Sequence, residues 1–364
     1  RDMKFRALSL IETVSYVLGY CAVGILMAFA GYGVWSLVAS ALTQSLVSGV
    51  LLYAIVRHSL RPVFDRAVHR SLYHYGSRVS LISFLEFIGA NLDTMLIARS
   101  LGMAALGIYN RAQNLIALPL YFLSSNLSKV LFPAFSTLQD DVERLRRYYL
   151  TAMLAFASVA TPLGFGMAAA APEIVLVLLG REWQASVPIL TIMALAIPFN
   201  LLMHFGGVLL EARARLSIKL VLQLIYLAVF GAALLAFARY GLVGFAAAVA
   251  LSMVFRNMCY TVVVARDLGV RARELATIYL TAFGSALFTG LAIHLAAGLL
   301  RQAAVAPLLI LLLEMLIGLL SLGLSLKLGP QRRVVMDLLA RSDTAVLGGT
   351  RGIAKRVLLR WLAA

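Results

Sequence analysis

The chain has 364 residues, of which 62% are hydrophobic and 13% are charged. That balance is far from the composition of a soluble globular domain and is typical of a membrane protein. The net charge of +16 is explained by the distribution of basic loops described below, which disfavours nucleic-acid binding. Cys21 and Cys259 lie inside apolar stretches, so neither a disulfide framework nor a metal site is predicted.

The apolar stretches predict membrane-spanning helices. A helix that rises about 1.5 Å per residue needs about 20 apolar residues to cross the hydrocarbon core of a bilayer. Stretches of this length lie near residues 9–29, 34–56, 79–98, 108–131, 149–171, 187–210, 217–238, 242–265, 276–299 and 304–326. The sequence therefore predicts an all-α, polytopic membrane helix bundle with about ten transmembrane helices.

Basic residues are concentrated in alternate connections between these spans. The connections that hold most of the 32 Arg and Lys residues are the N-terminus, 57–78, 129–147, 213–219, 266–273 and the tail from Lys327. The positive-inside rule assigns such loops to the cytoplasm. Both termini of this chain are therefore predicted to be cytoplasmic, with the protein in the inner (cytoplasmic) membrane. The segment Pro172–Trp183 is predicted to be a short interfacial helix on the outer face.

One turn occurs twice in the chain. Residues 30–39 (AGYGVWSLVA) align with residues 238–247 (ARYGLVGFAA), and both copies are predicted to open a helix that enters from the outer face. A parallel repeat relates the two halves of several transporter folds. If the second copy opens the last helix of a six-helix lobe, that lobe begins near residue 79, and four helices of its twin are expected upstream of this chain. The alternative is that Gly-rich turns recur by chance in membrane proteins.

Several motifs resemble one family. Residues 91–102 (NLDTMLIARSLG) and 105–112 (ALGIYNRA) resemble the polysaccharide transporter branch of the multidrug/oligosaccharidyl-lipid/polysaccharide exporter superfamily. Shorter matches lie at residues 1–6 (RDMKFR), 31–37 (GYGVWSL), 131–136 (LFPAFS) and 178–183 (LLGREW). The order and spacing of these matches make the resemblance more specific than any single motif.

The resemblance implies two six-helix lobes around a central cavity, often with two additional C-terminal helices. This chain is then expected to come from a two-lobed fourteen-helix transporter and to lack its first four helices. The predicted domains are the last two helices of the N-terminal lobe (1–57), a cytoplasmic linker (58–78), a six-helix C-terminal lobe (79–266), two additional helices (267–327) and a basic cytoplasmic tail (328–364).

Polar residues inside the spans are the candidate functional residues, because a charge in hydrocarbon is costly and usually faces a protein interior or a water-filled cavity. They fall in stripes at helical spacing. The candidates for substrate binding are Asn110, Arg111, Gln113, Asn114, Tyr121, Ser124, Asn200, Arg256 and Tyr260. The candidates for ion coupling are Glu86, Asp93 and His204. Glu314, alone on a very apolar helix, has no explanation from the sequence.

Each of these candidates also has a structural alternative. The polar stripe that begins at Asn110 is also explained by hydrogen bonds between helices, and Arg111 by a position at the membrane interface. Glu86 and Asp93 are open between ion coupling and pairing with a basic residue. His204 is open between a proton relay and a hydrogen-bonded histidine of the core.

The resemblance and the mixed polar residues together predict a flippase or exporter. It moves a lipid-linked (polyprenyl-diphosphate) oligosaccharide across the membrane by alternating access, for biosynthesis of a lipopolysaccharide, O-antigen or exopolysaccharide. Arg256 lies near mid-membrane by helical rise, and its planar guanidinium suits a phosphate. The expected partners are the lipid-linked substrate, membrane lipids and polysaccharide polymerase or export machinery.

Two other function classes are open to the sequence. A small-molecule or drug cation antiporter of the same superfamily is favoured by an acidic cavity. A membrane glycan polymerase or glycosyltransferase needs a catalytic platform outside the membrane, which the short outer loops do not offer. No catalytic residue, metal or cofactor is predicted, and coupling to a proton or Na+ gradient is left open.

Overall fold

A computed structural model describes residues 5–56, 66–303 and 305–328. Over these residues every regular element is a helix, which confirms the predicted all-α class. The α-helices are α1 (Phe5–Tyr16), α2 (Ile25–Phe29), α3 (Trp35–Val56), α4 (Arg66–Thr137), α5 (Val142–Ala169), α6 (Ala171–Leu178), α7 (Val187–Ala212), α8 (Leu216–Phe237), α9 (Gly241–Leu268), α10 (Ala272–Gln302) and α11 (Pro307–Leu328). A π-helical segment, Val17–Gly24, joins α1 to α2, and short 3-10 helices, Arg181–Ser186 and Ala238–Tyr240, precede α7 and α9.

Eight helical stretches of the described residues are long and apolar enough to span a bilayer. Two of them, Ser80–Ser124 and Leu216–Leu268, each contain a sharp break. The first breaks at Gly102 (φ 85°) inside α4, and the second at Gly241 (φ 63°) between α8 and α9. Glycine adopts a positive φ readily because it has no Cβ. When each of these two stretches is divided at its break, the eight stretches of the described residues become the ten spans predicted. The protein is therefore a multi-pass membrane protein.

The contacts divide the chain into two compact units, residues 1–71 (unit 1) and 72–364 (unit 2). In unit 1, α3 packs closely on the π-helical segment because two glycines present no side chain there. A Cβ on Gly19 would lie 2.7 Å from the carbonyl oxygen of Ser40, and a Cβ on Gly24 would collide with the Ser40 hydroxyl. Small residues allow membrane helices to approach this closely.

Both copies of the repeated turn lead into a helix. In the first copy Gly33 has a φ of 51°, and α3 begins two residues later at Trp35. In the second copy the aligned glycine is Gly241, which has a φ of 63° and is the first residue of α9. The repeat therefore marks the same backbone feature twice, a glycine with a positive φ where a long apolar helix starts.

Unit 2 is built on α10, α5, α7 and α9, each of which packs against the next in this order. One hydrophobic core lies where α5 and α10 begin and α7 and α9 end, and it includes Leu145, Leu209, Leu268 and Ile278. A second core lies toward the opposite end of these helices and includes residues of α4, α6, α7 and α9. The first of these ends carries several arginines and is called here the basic end.

Ion pairs join the helices at the basic end. Nη2 of Arg146 on α5 donates to both carboxylate oxygens of Glu274 on α10, at 2.7 Å each. Arg213 and Arg215, which flank the turn between α7 and α8, both pair with Asp267 at the end of α9. The first contact joins α5 to α10, and the second joins the turn between α7 and α8 to α9.

Two predicted segments fall partly or wholly outside the described residues. The predicted linker, 58–78, is described only from Arg66 onward, where it is helical as the first part of α4. The predicted tail, 328–364, lies outside the described residues after Leu328.

Candidate functional site

A cavity of about 530 Å³ lies inside unit 2 between α4, α7, α8 and α9. Its lining is mixed, with apolar residues such as Met193 and Phe230 among charged and hydrogen-bonding side chains. The polar residues that line it are Glu86, Asp93, Gln113, Ser128, Asn200, His204, Glu211, Lys219, Gln223, Tyr226, Arg256 and Tyr260. A charged cavity within apolar helices is the usual location of function in a membrane protein.

A three-residue ionic network lies on the side of this cavity that is nearer the basic end. Nζ of Lys219 lies 2.7 Å from Oε1 of Glu211 and 3.0 Å from Oε1 of Glu86. The tight turn at Ala214 (φ 53°) folds the start of α8 back against the end of α7, which brings Lys219 to Glu211. The Lys219 side chain is 12% exposed, so its charge is largely committed to these two carboxylates.

Arg256 has different partners. Its Nη2 donates to Oε1 of Gln223 at 2.8 Å, and its guanidinium lies 4.5 Å from the centre of the Tyr226 ring and 5.9 Å from that of Tyr260. Cation–π contacts and a neutral amide hold the group without cancelling its charge. Neither Nε of Arg256 nor Nε2 of Gln223 has a hydrogen-bond partner among the described residues. The cavity wall therefore holds a cation whose direct contacts are uncharged, beside two buried donors without partners in the described part of the chain.

Asp93 is buried in the cavity wall and held by neutral donors. The hydroxyl of Tyr109 donates to Oδ2 of Asp93 at 2.5 Å, and the backbone N–H of Thr94 donates to Oδ1 at 2.8 Å. Tyr109 is itself fully buried. These bonds compensate for part of the solvation that the carboxyl group loses on burial.

His204 and Asn200 lie one turn apart on α7. Nε2 of His204 lies 2.6 Å from Oγ of Ser128 on α4, and the Asn200 amide lies 3.9 Å from Sδ of Met253 on α9. A weak contact to sulfur leaves most of the hydrogen-bonding capacity of the Asn200 amide for other groups. Asn200 is therefore a hydroxyl-binding candidate on the same wall as His204.

The structure brings together most of the predicted site residues, but not all of them. Those that line the cavity are Glu86, Asp93, Gln113, Asn200, His204, Arg256 and Tyr260. Asn114 lines a smaller neighbouring cavity of about 320 Å³, which Gln113 also borders.

Four predicted residues, Asn110, Arg111, Tyr121 and Ser124, do not line either cavity. The guanidinium of Arg111 lies 4.9 Å from the centre of the Trp183 ring, and Ser124 donates to the carbonyl of Leu120 at 2.7 Å. Asn110, Tyr121 and Ser124 were assigned to one stripe from helical spacing, with Arg111 beside it. Spacing gives a shared face but not the direction in which that face points.

Other lining residues were missed as site candidates. Lys219 was grouped with the basic loop residues, and Gln223 and Tyr226 were not singled out. The signal was present, because Lys219, Gln223 and Tyr226 follow one another at i, i+4 and i+7 on α8, one face of a helix. That face is the one that α8 turns toward the cavity.

Apolar helices around a charged cavity define a multi-pass membrane protein. Its fold is similar to that of a solved structure, "Lipid II flippase MurJ, inward closed conformation", with a TM-score of 0.67 and 14% sequence identity, covering 88% of this chain and 67% of that one. The chain belongs to the family described as "Polysaccharide biosynthesis protein", whose profile matches residues 1–188. The family resemblance drawn from the sequence motifs is thereby confirmed.

Curated relatives agree with that family. The teichuronic acid biosynthesis protein TuaB of Bacillus subtilis (strain 168) is 29% identical over 66% of this chain and 50% of its own length. The lipopolysaccharide biosynthesis protein WzxC of Escherichia coli (strain K12) is 26% identical over 60% of this chain and 45% of its own. The succinoglycan biosynthesis transport protein ExoT of Rhizobium meliloti (strain 1021) is 31% identical over 54% and 40%. The chain thus spans about half the length of the curated relatives it matches.

Proposed function

We propose that this chain is part of a flippase that moves a lipid-linked oligosaccharide, carried on a polyprenyl diphosphate, across the inner membrane during polysaccharide biosynthesis. The observation that carries the proposal is Arg256, a cation inside a membrane cavity whose direct contacts are a neutral amide and two tyrosine rings. The relatives support it, since their names place them in the biosynthesis or transport of surface polysaccharides.

The cavity suits both polar parts of such a substrate. A diphosphate carries negative charge and oxygen acceptors, which the guanidinium of Arg256 in the cavity lining can bind. The sugar hydroxyls need donors and acceptors in place of water, and Asn200, Gln113 and Tyr260 line the same cavity. The lipid tail stays in the bilayer, so the cavity must take up only the head group.

The ionic network at Lys219 has a separate role in this proposal. The positive-inside rule puts the basic end in the cytoplasm, and the network lies on that side of the cavity. Lys219 links α8 to α7 and α4 through Glu211 and Glu86, so breaking it would let these helices separate. We propose that the network closes the cytoplasmic mouth and opens for the anionic head group.

Transport needs no bound cofactor, and its partners in the membrane are lipids and the polymerase or export machinery.

The cation antiporter is less well supported than the flippase. Its substrate requires a free carboxylate, yet Glu86 and Glu211 both contact Lys219, and Asp93 accepts hydrogen bonds from Tyr109 and Thr94. Arg256 would also repel a cationic substrate. The family and its relatives likewise favour a transporter of glycans over a membrane enzyme.

The test uses cells that lack the intact protein. Its polyprenyl-diphosphate-linked glycan is extracted and quantified, and a lectin added to the outer face of the inner membrane reports which molecules have crossed. We expect the glycan to accumulate inaccessible to the lectin, and to become accessible when the protein is restored. Glycan that accumulates on the outer face without being polymerised would contradict flipping and indicate an enzyme that acts after translocation. No accumulation would favour the antiporter.

A further inference from the structure

Glu314 lies on α11, outside the cavity, in surroundings that do not suit a free carboxylate. Glu314 is 1% exposed, and neither of its carboxylate oxygens has a hydrogen-bond partner among the described residues. α11 packs against α5, α6 and α10. The charged groups that these helices bring to Glu314 are Glu173 on α6 and Arg301 on α10.

Arg301 already forms an ion pair with Glu173. Its Nε donates to Oε1 of Glu173 at 2.6 Å, and its Nη2 donates to Oε2 at 2.7 Å. This bidentate pair satisfies both oxygens of Glu173, which is also buried. Glu314 lies against the same carboxylate, close enough for a proton on one carboxyl group to form a hydrogen bond to the other. The cluster therefore holds two carboxyl groups and one guanidinium, and it has a net negative charge when both carboxyl groups are ionised.

A buried negative charge without a partner is strongly disfavoured, and the simplest remedy is to bind a proton. We propose that Glu173 and Glu314 share one proton and form a proton-binding site outside the cavity, with Arg301 holding the pair in place. The proton gives Glu314 a hydrogen bond to Glu173 and removes the excess charge. A metal cation is a poor occupant, because Arg301 already supplies a positive charge at the shared carboxylate.

The position of the site gives the proton a route to the membrane surface. Arg301 is at the end of α10 opposite Glu274, hence opposite the basic end, and its side chain is 40% exposed. The site is therefore reached from the side of the membrane opposite the Lys219 network. A proton bound here fastens α11 to α6, and its loss leaves two carboxylates facing each other across that contact.

The test is infrared spectroscopy of the protein in lipid nanodiscs, following the C=O stretching band of a protonated carboxyl group. The wild type is expected to show the band at neutral pH. Glu314→Gln removes it, and Glu173→Gln also removes it, because the remaining Glu314 then pairs with Arg301 as a carboxylate. Glu182→Gln, in the neighbouring 3-10 helix and exposed, is the control and leaves the band unchanged.

Three outcomes would overturn the proposal. The first is a wild type without the band, and the second is a band that survives both Glu314→Gln and Glu173→Gln. The third is a band that appears only when Na+ is replaced by choline, since this would indicate that a metal cation occupies the site. Thermal unfolding gives a second readout that is independent of transport. The wild type should lose Tm as the pH is raised and the shared proton is removed, whereas Glu314→Gln should not.

Discussion

Arg256 and Lys219 carry the same charge in one cavity, but their partners give them different properties. Lys219 touches two carboxylates, so its substitution leaves negative charges unpaired. Arg256 touches a neutral amide and aromatic rings, so its substitution removes a positive charge that nothing in its direct contacts balances. At the scale of single residues, therefore, Lys219 is expected to affect stability and Arg256 to affect substrate binding.

Arg256→Ala should lower transport with little loss of folded protein. Removing one charge-assisted contact to an anionic head group costs about 1.5–3 kcal/mol, which corresponds to a decrease of about 10- to 100-fold. Arg256→Lys keeps the charge but loses the planar guanidinium, so its transport rate should lie between those of the wild type and Arg256→Ala. The measurement is the rate at which glycan becomes accessible to the lectin.

Arg111→Ala is the matched control for Arg256→Ala. Arg111 is also a membrane-helix arginine stacked on an aromatic ring, that of Trp183, but it lies outside the cavity. Its transport rate should stay close to that of the wild type. Equal losses in the two variants would show that the position of Arg256 in the cavity has no special role.

Lys219→Met should destabilise the protein because it leaves Glu86 and Glu211 facing one another without a cation. Both glutamates are more than one third exposed, so solvent reduces the penalty to about 1–2 kcal/mol. The expected result is a lower Tm in detergent. Glu86→Gln keeps the Lys219–Glu211 pair and should lower the Tm less than Lys219→Met does. A larger decrease in Tm for Glu86→Gln would contradict the role of Lys219 as the bridge between the two glutamates.

At the scale of helices, close packing in unit 2 depends on small residues at defined points. Gly164 on α5 faces α7, where a Cβ would lie 2.7 Å from the carbonyl oxygen of Ala194 and 2.9 Å from Cδ of Pro198. The hydroxyl of Thr161, one turn earlier on α5, shares its proton between the carbonyl of Ala157 on its own helix at 2.7 Å and that of Ala282 on α10 at 2.8 Å. α5 is thus held between α7 and α10 by a close approach on one side and a buried hydrogen bond on the other.

Gly164→Ala should destabilise the bundle by about 1–3 kcal/mol, because the new methyl group meets backbone that cannot move without shifting α7. Gly284→Ala on α10 makes the same chemical change where, among the described residues, no atom outside the local backbone of α10 lies within 4 Å of the new Cβ. That control should be neutral, or stabilising by up to about 1 kcal/mol. Thermal unfolding in detergent compares the two variants, and equal Tm values would contradict the packing described for Gly164.

At the scale of the whole molecule, the distribution of charge predicts which side faces the cytoplasm. Arg144 lies at the basic end with a side chain that is 70% exposed, and Glu182 lies in an exposed 3-10 helix near the opposite end. In a variant without Cys21 and Cys259, a cysteine introduced at either position reports its side of the membrane.

We expect Glu182→Cys to react with a membrane-impermeant maleimide in intact spheroplasts. Arg144→Cys should react only after the membrane is permeabilised, because its loop is predicted to be cytoplasmic. The reverse pattern would invert the proposed topology and would place the Lys219 network on the outer side.

The sequence was most informative where the physics is local. The span near 79–98 followed from its apolar length alone, without reference to any other helix, and the structure places the break that ends it at Gly102. The same sequence suggested Tyr121 and Gln113 as members of one polar stripe, yet only Gln113 lines the cavity. Spacing along one helix fixes which residues share a face, whereas the direction of that face depends on neighbours that are distant in sequence.

The sequence by itself determined the all-α class, the positions of the membrane-spanning helices and the family. A helix in hydrocarbon must satisfy its backbone hydrogen bonds internally, so length and apolar composition are enough to identify it. Only the tertiary structure decided that Lys219 pairs with Glu86, that Arg256 has neutral partners, and that the isolated Glu314 lies beside Glu173. The reason is that a side chain's charge environment is set by the rotation and packing of several helices, which no single helix encodes.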